Sequence, residues 1–551
     1  MKKFEFGGAI SDNKTLIALL VYNKNILNAG VFLLWGQLPN DQKELYERLI
    51  TNFASLSEAF AQKTEDEESI VPPIVNSKFQ ETAFQKSFNA TGEDIGNTSY
   101  DASIDHIDDK IKKRFLIGIK TFGLNSGDQK IAQFKAISAD QWTEIIDKIK
   151  ENSKGLSTKK DINKINHDLY LSLAKKIATV RNSRIRSSEE NIKGFKNRDH
   201  ISVEAVYHVL MPTPKNNKPE ILVGETTYMP IDLESIAIDG CTGVRNPTNF
   251  IFHDINHCYK YTSADSQLLM SFNNKNMVLE KWPVTYVKDA FKFFENMSED
   301  NLKRRAVPVK TKISESHSWY IEIKPYSGYN AFYGQSKMGR ENEYREKRIK
   351  KFENDYSDII SKKNLDYIID RLKVLLLKKW TTKEDKDRMV TIRLELMHFI
   401  TQINNQKIKK DVGSMVYRPA DELEIRIPKS TQFHQQYPNF FVKNIFISGS
   451  KKYVRDKELR TFKLMFLPSN DVINAYVNQQ NRKAIESVGS QKILGKWILR
   501  DVFQLKEYEP LTYNKLNEIG INGIRFIKKS DHIELQFIWI DSENEPDDIW
   551  K

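Results

Sequence analysis

A chain of 551 residues is too long for one hydrophobic core and is expected to divide into roughly two to four domains. Hydrophobic residues at 40% and charged residues at 29% make an ordinary globular balance, which excludes a disordered polyelectrolyte. The formal net charge of +12, from 85 Lys and Arg against 73 Asp and Glu, favours a polyanionic partner through counterion release and steering.

The N-terminus, Met1 to Gly8, lacks the apolar core of a signal peptide, and the apolar pieces Leu16 to Val21 and Val31 to Trp35 are too short to span a bilayer. With Cys241 and Cys258 as its two cysteines, the chain can form neither a disulfide framework nor a four-cysteine zinc site; a reducing, cytoplasmic location is the expectation. Leu45, Leu49, Phe53, Leu56 and Phe60 recur at helical spacing and predict an amphipathic helix over Asp41 to Lys63. The acidic, proline-containing run Thr64 to Pro73 reads as a loop before a second helix, Phe79 to Phe88. Next, Ser99 to Ile107, a charged turn Asp108 to Arg114, and Phe115 to Phe122 read as two strands of a hairpin. Side-chain alternation puts Leu116, Gly118 and Lys120 on one face and allows Asp101 to sit opposite Lys120. A carboxylate beside a lysine suits metal-dependent phosphodiester hydrolysis. The acid holds Mg²⁺, the metal lowers the pKa of a bound water, and the ammonium orients that nucleophile.

Helical patterns follow over Ala139 to Asn152 and Asp161 to Thr179, and after Arg181 the text turns to strand at Val203 to Leu210 and Glu220 to Val223. The segment Asn249 to Cys258 gathers His253, Asp254, His257 and a thiol. It has no second ligand pair at zinc spacing, so a strand edge with polar side chains is expected. Glu322-Ile323-Lys324 is a second acid-x-Lys, without a well-placed upstream aspartate, and reads as a solvated strand. Tyr326 to Gly334 has the Gly, Asn and aromatic content of a close-approach loop. Arg340 to Lys410 is charged and helical, with apolar stripes at Leu365, Ile368, Ile369, Leu372, Leu375 and Leu376, and at Leu394, Leu396, Phe399 and Ile400. Leu423 to Ile427, Phe462 to Phe466 and Ile533 to Ile538 alternate apolar with polar residues. They predict an all-β module from about Met415 that folds by itself.

Two of these stretches resemble known families. The hairpin resembles the PD-(D/E)xK nuclease core of restriction enzymes, in which an acid opens one strand and an acid-x-Lys closes the next; Ser126 to Lys135 resembles the helix that follows that hairpin. The middle acid of the motif is Gly118 here, so the resemblance implies a carboxylate from elsewhere, with Glu81 the first candidate and Glu93 the second. The ordered set Glu424-Ile425-Arg426-Ile427-Pro428, Tyr437 to Phe441, Asn481 to Ile485, Leu494 to Arg500, Leu511 to Leu516 and Ile519 to Ile521 resembles the C-terminal DNA-binding domain of certain type II restriction enzymes. That domain is a pseudobarrel related to one in plant transcription factors. The resemblance implies two arms that enter the major groove: one from Arg418, Arg426, Lys429, Gln432, His434 and Gln435, the other near Gln479, Asn481 and Arg482. Arg suits guanine and Gln or Asn suits adenine by paired hydrogen bonds. Some enzymes with this module cut DNA through a His-x-Lys site. No His-x-Lys occurs here, which points catalysis back to the hairpin.

The expected architecture is therefore α/β plus all-β: a PD-(D/E)xK-like mixed-sheet nuclease core over 1–200, a strand-rich middle region over 201–339, a helical connector over 340–412, and a recognition pseudobarrel over 413–551. The expected function is that of a type II restriction endonuclease using Mg²⁺. Asp101 would bind the metal, Lys120 would assist the attacking water and Glu81 would complete the metal shell. Double-stranded DNA is the partner, a cognate DNA methyltransferase the system partner, and a homodimer one possible assembly, with no membrane involved. The rivals are a DNA-binding protein with a decayed nuclease domain, and a subunit cutting only with an ATP-driven partner, since the chain has no Gly-x-x-x-x-Gly-Lys-Ser/Thr loop.

Overall fold

The computed structural model describes residues 34–61, 69–92, 99–108, 111–196, 201–296, 315–324, 327–328, 342–417, 421, 423–443, 445–447, 450, 452–478, 482–489 and 491–551. Helices combine with mixed and antiparallel sheets in an α/β architecture. Described residues up to Ile185 and between 200 and 310 form one compact unit, and those of 186–199 and from 311 onward form the other.

The first unit holds helices α1 (Asn40–Ala54) and α2 (Ser77–Phe88), then β1 (Thr91–Gly92), β2 (Ala102–Asp108), β3 (Ile111–Thr121) and β4 (Gln129–Gln133). Helices α3 (Thr143–Asn152) and α4 (Lys159–Lys193), the latter counted in this unit as far as Ile185, lead to β5 (Ile201–Pro212) and β6 (Glu220–Thr227). The strands β7 (Ala237–Gly243), β8 (Asn246–His253), β9 (Cys258–Thr262), β10 (Gln267–Met270) and β11 (Val278–Pro283) complete it. One sheet has the order β1-β2-β3-β5-β6-β11, the other β4-β10-β9-β8-β7.

Strands β2 and β3 pair antiparallel from Ala102↔Ile117 to Asp108↔Ile111, so most of the expected charged turn is strand. Charged residues remain in the ladder because they find cross-strand partners. Arg114 donates to both carboxylate oxygens of Asp105 at 2.5 and 2.9 Å, and Lys113 pairs with Glu204 on β5 at 2.6 Å. Because β3 and β5 are parallel, the chain needs a long crossover between them, and it runs through β4, α3 and α4. Phe115, Ile117, Ile119 and Val206 cover one face of the sheet and pack on Tyr46, Phe84 and Phe88 of α1 and α2. A buried pair, His208 and Glu225, lies in that layer, and Glu225 also accepts from the Trp35 backbone N–H at 2.9 Å.

Three sequence expectations change here. Helix α4 runs well past Thr179; beyond it Arg181, Ser183, Ser187, Ser188 and Asn191 are buried, and that polar buried face hides the helical period. Gln129–Gln133, within the stretch expected to be a helix, is instead an edge strand paired antiparallel with β10. Asn249 to Cys258 takes in the end of β8, the hairpin turn and the first residue of β9, and the turn is closed by Asp254, whose Oδ1 accepts from the N–H groups of Asn256 and His257 at 2.9 and 2.7 Å.

The second unit opens with β12 (Ser316–Tyr320) and a short ladder of β13 (Ile323–Lys324) with β14 (Ser327–Gly328). Four helices follow: α5 (Asn342–Tyr356), α6 (Lys362–Leu377), α7 (Lys383–Ile403) and α8 (Gln406–Val416). Then come β15 (Ile425–Arg426), α9 (Ser430–Gln436), β16 (Thr461–Leu467), β17 (Asp471–Val477), β18 (Ala484–Ser487), α10 (Gln491–Lys496), α11 (Tyr513–Ile519), β19 (Gly523–Lys528) and β20 (Ile533–Ile538). The sheet order is β12-β19-β20-β16-β17-β18-β15, antiparallel except for β16 with β20. The α6 stripe from Leu365 to Leu376 is buried, whereas Leu394 on α7 faces solvent at 42% exposure. Among the described residues no helix is long and apolar enough to cross a membrane.

The compact units do not follow the four expected segments. Strands β5, β6 and β11 complete the sheet begun by the β2–β3 hairpin, and one apolar cluster joins Leu372, Leu396 and Met415 of the helices to Phe466 and Leu535 of the strands. A fragment starting at Met415 loses β12 and most of that helical half of the core. We expect it to show no cooperative thermal transition by circular dichroism, while a fragment starting at residue 311, mixed with a peptide of residues 186–199, retains one. Equal melting of both fragments would refute the shared core.

Candidate functional site

Two places carry the residues singled out by sequence. The first is the β2–β3 hairpin. Since Ala102 pairs with Ile117, the register sets Gly118, and not Lys120, opposite Asp101. Alternation still leaves Asp101, Gly118 and Lys120 on one face, opposite to that of Ala102, Ile117 and Ile119. The Asp101 carboxylate bends back on the ladder, with Oδ2 accepting from the Ile119 N–H at 2.6 Å.

Gly118 lies against two aromatic rings. A Cβ built there meets ring carbons of Tyr207 and Tyr228, each at 3.0 Å. These rings stack at 4.1 Å, the Tyr228 hydroxyl donates to the Ser99 carbonyl at 3.1 Å, and burial, with Tyr207 beside it, holds the Tyr228 phenol well above its ordinary pKa. Arg181 of α4 fixes the pair from below: its guanidinium donates to Tyr207 Oη at 3.4 Å and the Met229 carbonyl at 2.8 Å, and lies 5.3 Å from the Tyr228 ring centre. The motif's middle position is glycine because the space for a side chain is taken.

Glu81 is not brought to this face. Helix α2 packs Ala83, Phe84 and Phe88 on the Ile117 and Ile119 side of the sheet, and Glu81 is paired with Lys78 at 2.7 Å. Its neighbour Gln80 is the α2 residue that reaches β3, accepting from the Thr121 hydroxyl. Glu93 lies outside the described residues.

The second place is a cleft of about 490 Å³ in the second unit. Two segments far apart in sequence form it. Strand β15 pairs with β18 through Ile425↔Ile485 and Arg426↔Ala484, and the Ile427 N–H donates to the Lys483 carbonyl at 2.8 Å. Arg426, Lys429, Gln432 and Lys483 line the cleft, together with Glu322 from the turn after β12. Lys429 takes a left-handed φ of 44° as the chain turns into α9.

The two segments are pinned by side chains that sequence reasoning assigned to base reading. His434 is buried, and its Nε2–H donates to the Arg482 carbonyl at 3.0 Å; burial pushes the imidazole pKa down to about 4. Arg482 is 3% exposed at a left-handed φ of 54°. Its guanidinium donates to the carbonyls of Asn478 and Val454 and lies 4.9 Å from the Tyr453 ring centre. Buried side chains turned onto backbone carbonyls do not meet a base edge, so His434 and Arg482 are framework residues. Arg426 is half-committed, paired with Glu424. Gln435 is exposed but does not line the cleft, and Arg418, Gln479 and Asn481 lie outside the described residues. Lys483 was missed, and Glu322, noted in the sequence as the acid of a second acid-x-Lys, was read as part of a solvated strand and not as a cleft residue.

No protein-family model matches this chain, and no curated protein matches it.

Two measurements test these sites. Gly118→Ala overfills the Tyr207–Tyr228 contact and is expected to destabilise the protein by about 1–3 kcal/mol in urea unfolding, with Tyr228→Leu relieving part of the loss; a Gly118→Ala protein as stable as wild type would remove the packing explanation. For His434 the folded pKa lies below the ordinary 6.5, so the unfolded chain takes up the proton first. Stability of the second unit should fall as pH drops from about 6.5 to about 4 and level off for this residue below that. His434→Gln should flatten that part of the pH profile; an unchanged slope would mean that His434 is not the titrating group.

Proposed function

We propose that this chain is a sequence-specific DNA endonuclease of the restriction type, reading double-stranded DNA with the cleft beside the β15–β18 ladder and cutting it at the β2–β3 hairpin. The observation that carries the reading is the basic cleft lined by residues 426–432 and Lys483, which brings the segment that the C-terminal resemblance assigns to one DNA-reading arm beside the residue next to the other. The seven-stranded sheet with α9 between β15 and β16, and α10 and α11 between β18 and β19, agrees with the pseudobarrel that the same resemblance implies. A net charge of +12 adds steering toward a polyanion. The mixed sheet of the first unit, a hairpin followed by a helical crossover to a parallel strand, supports the nuclease half of the reading.

At the hairpin, Asp101 is the residue that would hold Mg²⁺. The ion tolerates one carboxylate when waters and substrate phosphate oxygens fill its remaining positions, so the donor set on this face fits a substrate-dependent metal. When bound, the metal supplies a water of lowered pKa. Lys120, on the same face and half-exposed, would offset charge on the phosphate and orient that water. The Ile119 N–H fixes the Asp101 carboxylate in position before substrate arrives. A homodimer would present two hairpins to a duplex, and a cognate methyltransferase would protect the host site.

One observation favours a second reading. Gly118 is locked beneath Tyr207 and Tyr228, so no second acid can stand at its motif position, as in a protein that binds DNA without cutting it. Incubation with unmodified phage DNA and Mg²⁺, followed by sequencing of fragment ends, separates the two: discrete ends support the nuclease, and retarded but intact DNA supports the binder. In the first case Asp101→Ala and Lys120→Ala should each abolish cleavage while leaving the Kd for the cognate duplex within about twofold, because neither lies in the recognition cleft. Wild-type cleavage by either variant would move catalysis away from the hairpin.

A further inference from the structure

Lys429 is out of place by every local measure. It takes φ 44° and ψ 42° ahead of α9, the left-handed region that disfavours a side chain with a Cβ, and its side chain makes no capping hydrogen bond. Glycine fits that backbone without strain and asparagine tolerates it. Lysine there is exposed to solvent. A strained residue that neither caps a helix nor fills a core points to a use for its side chain.

That side chain lines the cleft of about 490 Å³, as does exposed Lys483, which follows the left-handed Arg482. The Lys483 backbone is fixed, its carbonyl accepting from the Ile427 N–H at 2.8 Å. Among the described residues no carboxylate pairs with either ammonium, Glu322 of the same lining included, and Glu424 is paired with Arg426. Two ammonium groups in one cleft repel each other, and an anion between them offsets that repulsion. On a duplex the anion is a backbone phosphate, since base edges carry no net charge. Lysine holds a phosphate as a point charge, without the fixed fork of arginine.

Resting on the DNA-binding reading above, we propose that Lys429 and Lys483 together grip one backbone phosphate of the duplex and set its register. Phosphate contacts fix orientation and carry no sequence information, so Lys429 leaves the set of base readers that the resemblance implies.

The test uses the full chain, the duplex that wild type selects from a random pool, and a scrambled duplex. Lys429→Gly and Lys483→Met each remove one charge; the first also relieves the backbone and should melt at or above wild type. Each variant should weaken both duplexes by the same factor and lower the slope of log Kd against log salt by about 0.9. Single phosphates of the selected duplex are then replaced by uncharged methylphosphonates. One replacement should weaken wild type and leave both variants unmoved, at the same position for each. Loss confined to the selected duplex, an unchanged salt slope, or different positions for the two variants overturns the shared grip. Melting of Lys429→Gly below wild type overturns the strain argument beneath it. If Lys483→Met does not fold, Lys483→Gln carries the same test with the same overturning results. A wild type that binds duplexes without preference sinks the sequence-specific reading alone, and the salt slopes still decide the grip. A wild type that binds no duplex overturns the DNA-binding reading, and this inference with it.

Discussion

The short ladder between Ile425–Arg426 and Ala484–Ile485 carries the basic cleft of the second unit. Each strand is too brief to be stable alone, and what holds the pair is a set of buried anchors around it. His434 reaches from α9 to the Arg482 carbonyl, and Arg482 reaches on to Asn478 and Val454. Trp550 closes the far side by donating to the Pro428 carbonyl at 2.7 Å. Because backbone groups take all of these bonds, the loops are positioned without spending the exposed side chains of Lys429, Gln432 and Lys483, which stay available to a ligand. A rigid scaffold beneath variable loops is the usual way for a fold to carry a binding surface.

The hairpin in the first unit obeys a similar logic with aromatic packing in place of polar anchors. The Tyr207–Tyr228 stack, braced by Arg181, occupies the space above Gly118 and so decides which residue the middle of the motif can hold. A glycine at that position is thus a steric answer to a close approach between strand and rings. The same packing leaves Asp101 at the strand entrance and Lys120 beyond the rings, on one face of the sheet.

Neither unit follows the boundaries that composition suggests. The helices from Asn342 to Val416 look like a connector because their outward faces are charged, but their inward faces share one apolar cluster with the C-terminal strands. A helix with one apolar stripe must bury it against something, and in this unit the sheet is what it meets. Buried polar residues on α4 make the complementary point: Arg181, Asn191 and several serines are interior, Arg181 turned onto Tyr207 Oη and the Met229 carbonyl, and composition alone sorts them to the surface.

What could be read directly were the local periodicities. Alternation at Phe462 to Phe466 and Ile533 to Ile538 marks strands, and spacing at Leu365 to Leu376 marks a buried helical stripe, because burial of one face imposes its period on the residues that make it. Register, sheet partner and side-chain direction depend on groups distant in sequence, and these the fold alone decided. It put Gly118 opposite Asp101, Glu81 on the other face of the sheet, His434 and Arg482 inside, and Glu322 at the mouth of a basic cleft. A one-residue change of register or a single buried neighbour reverses such assignments, and no local window contains that information.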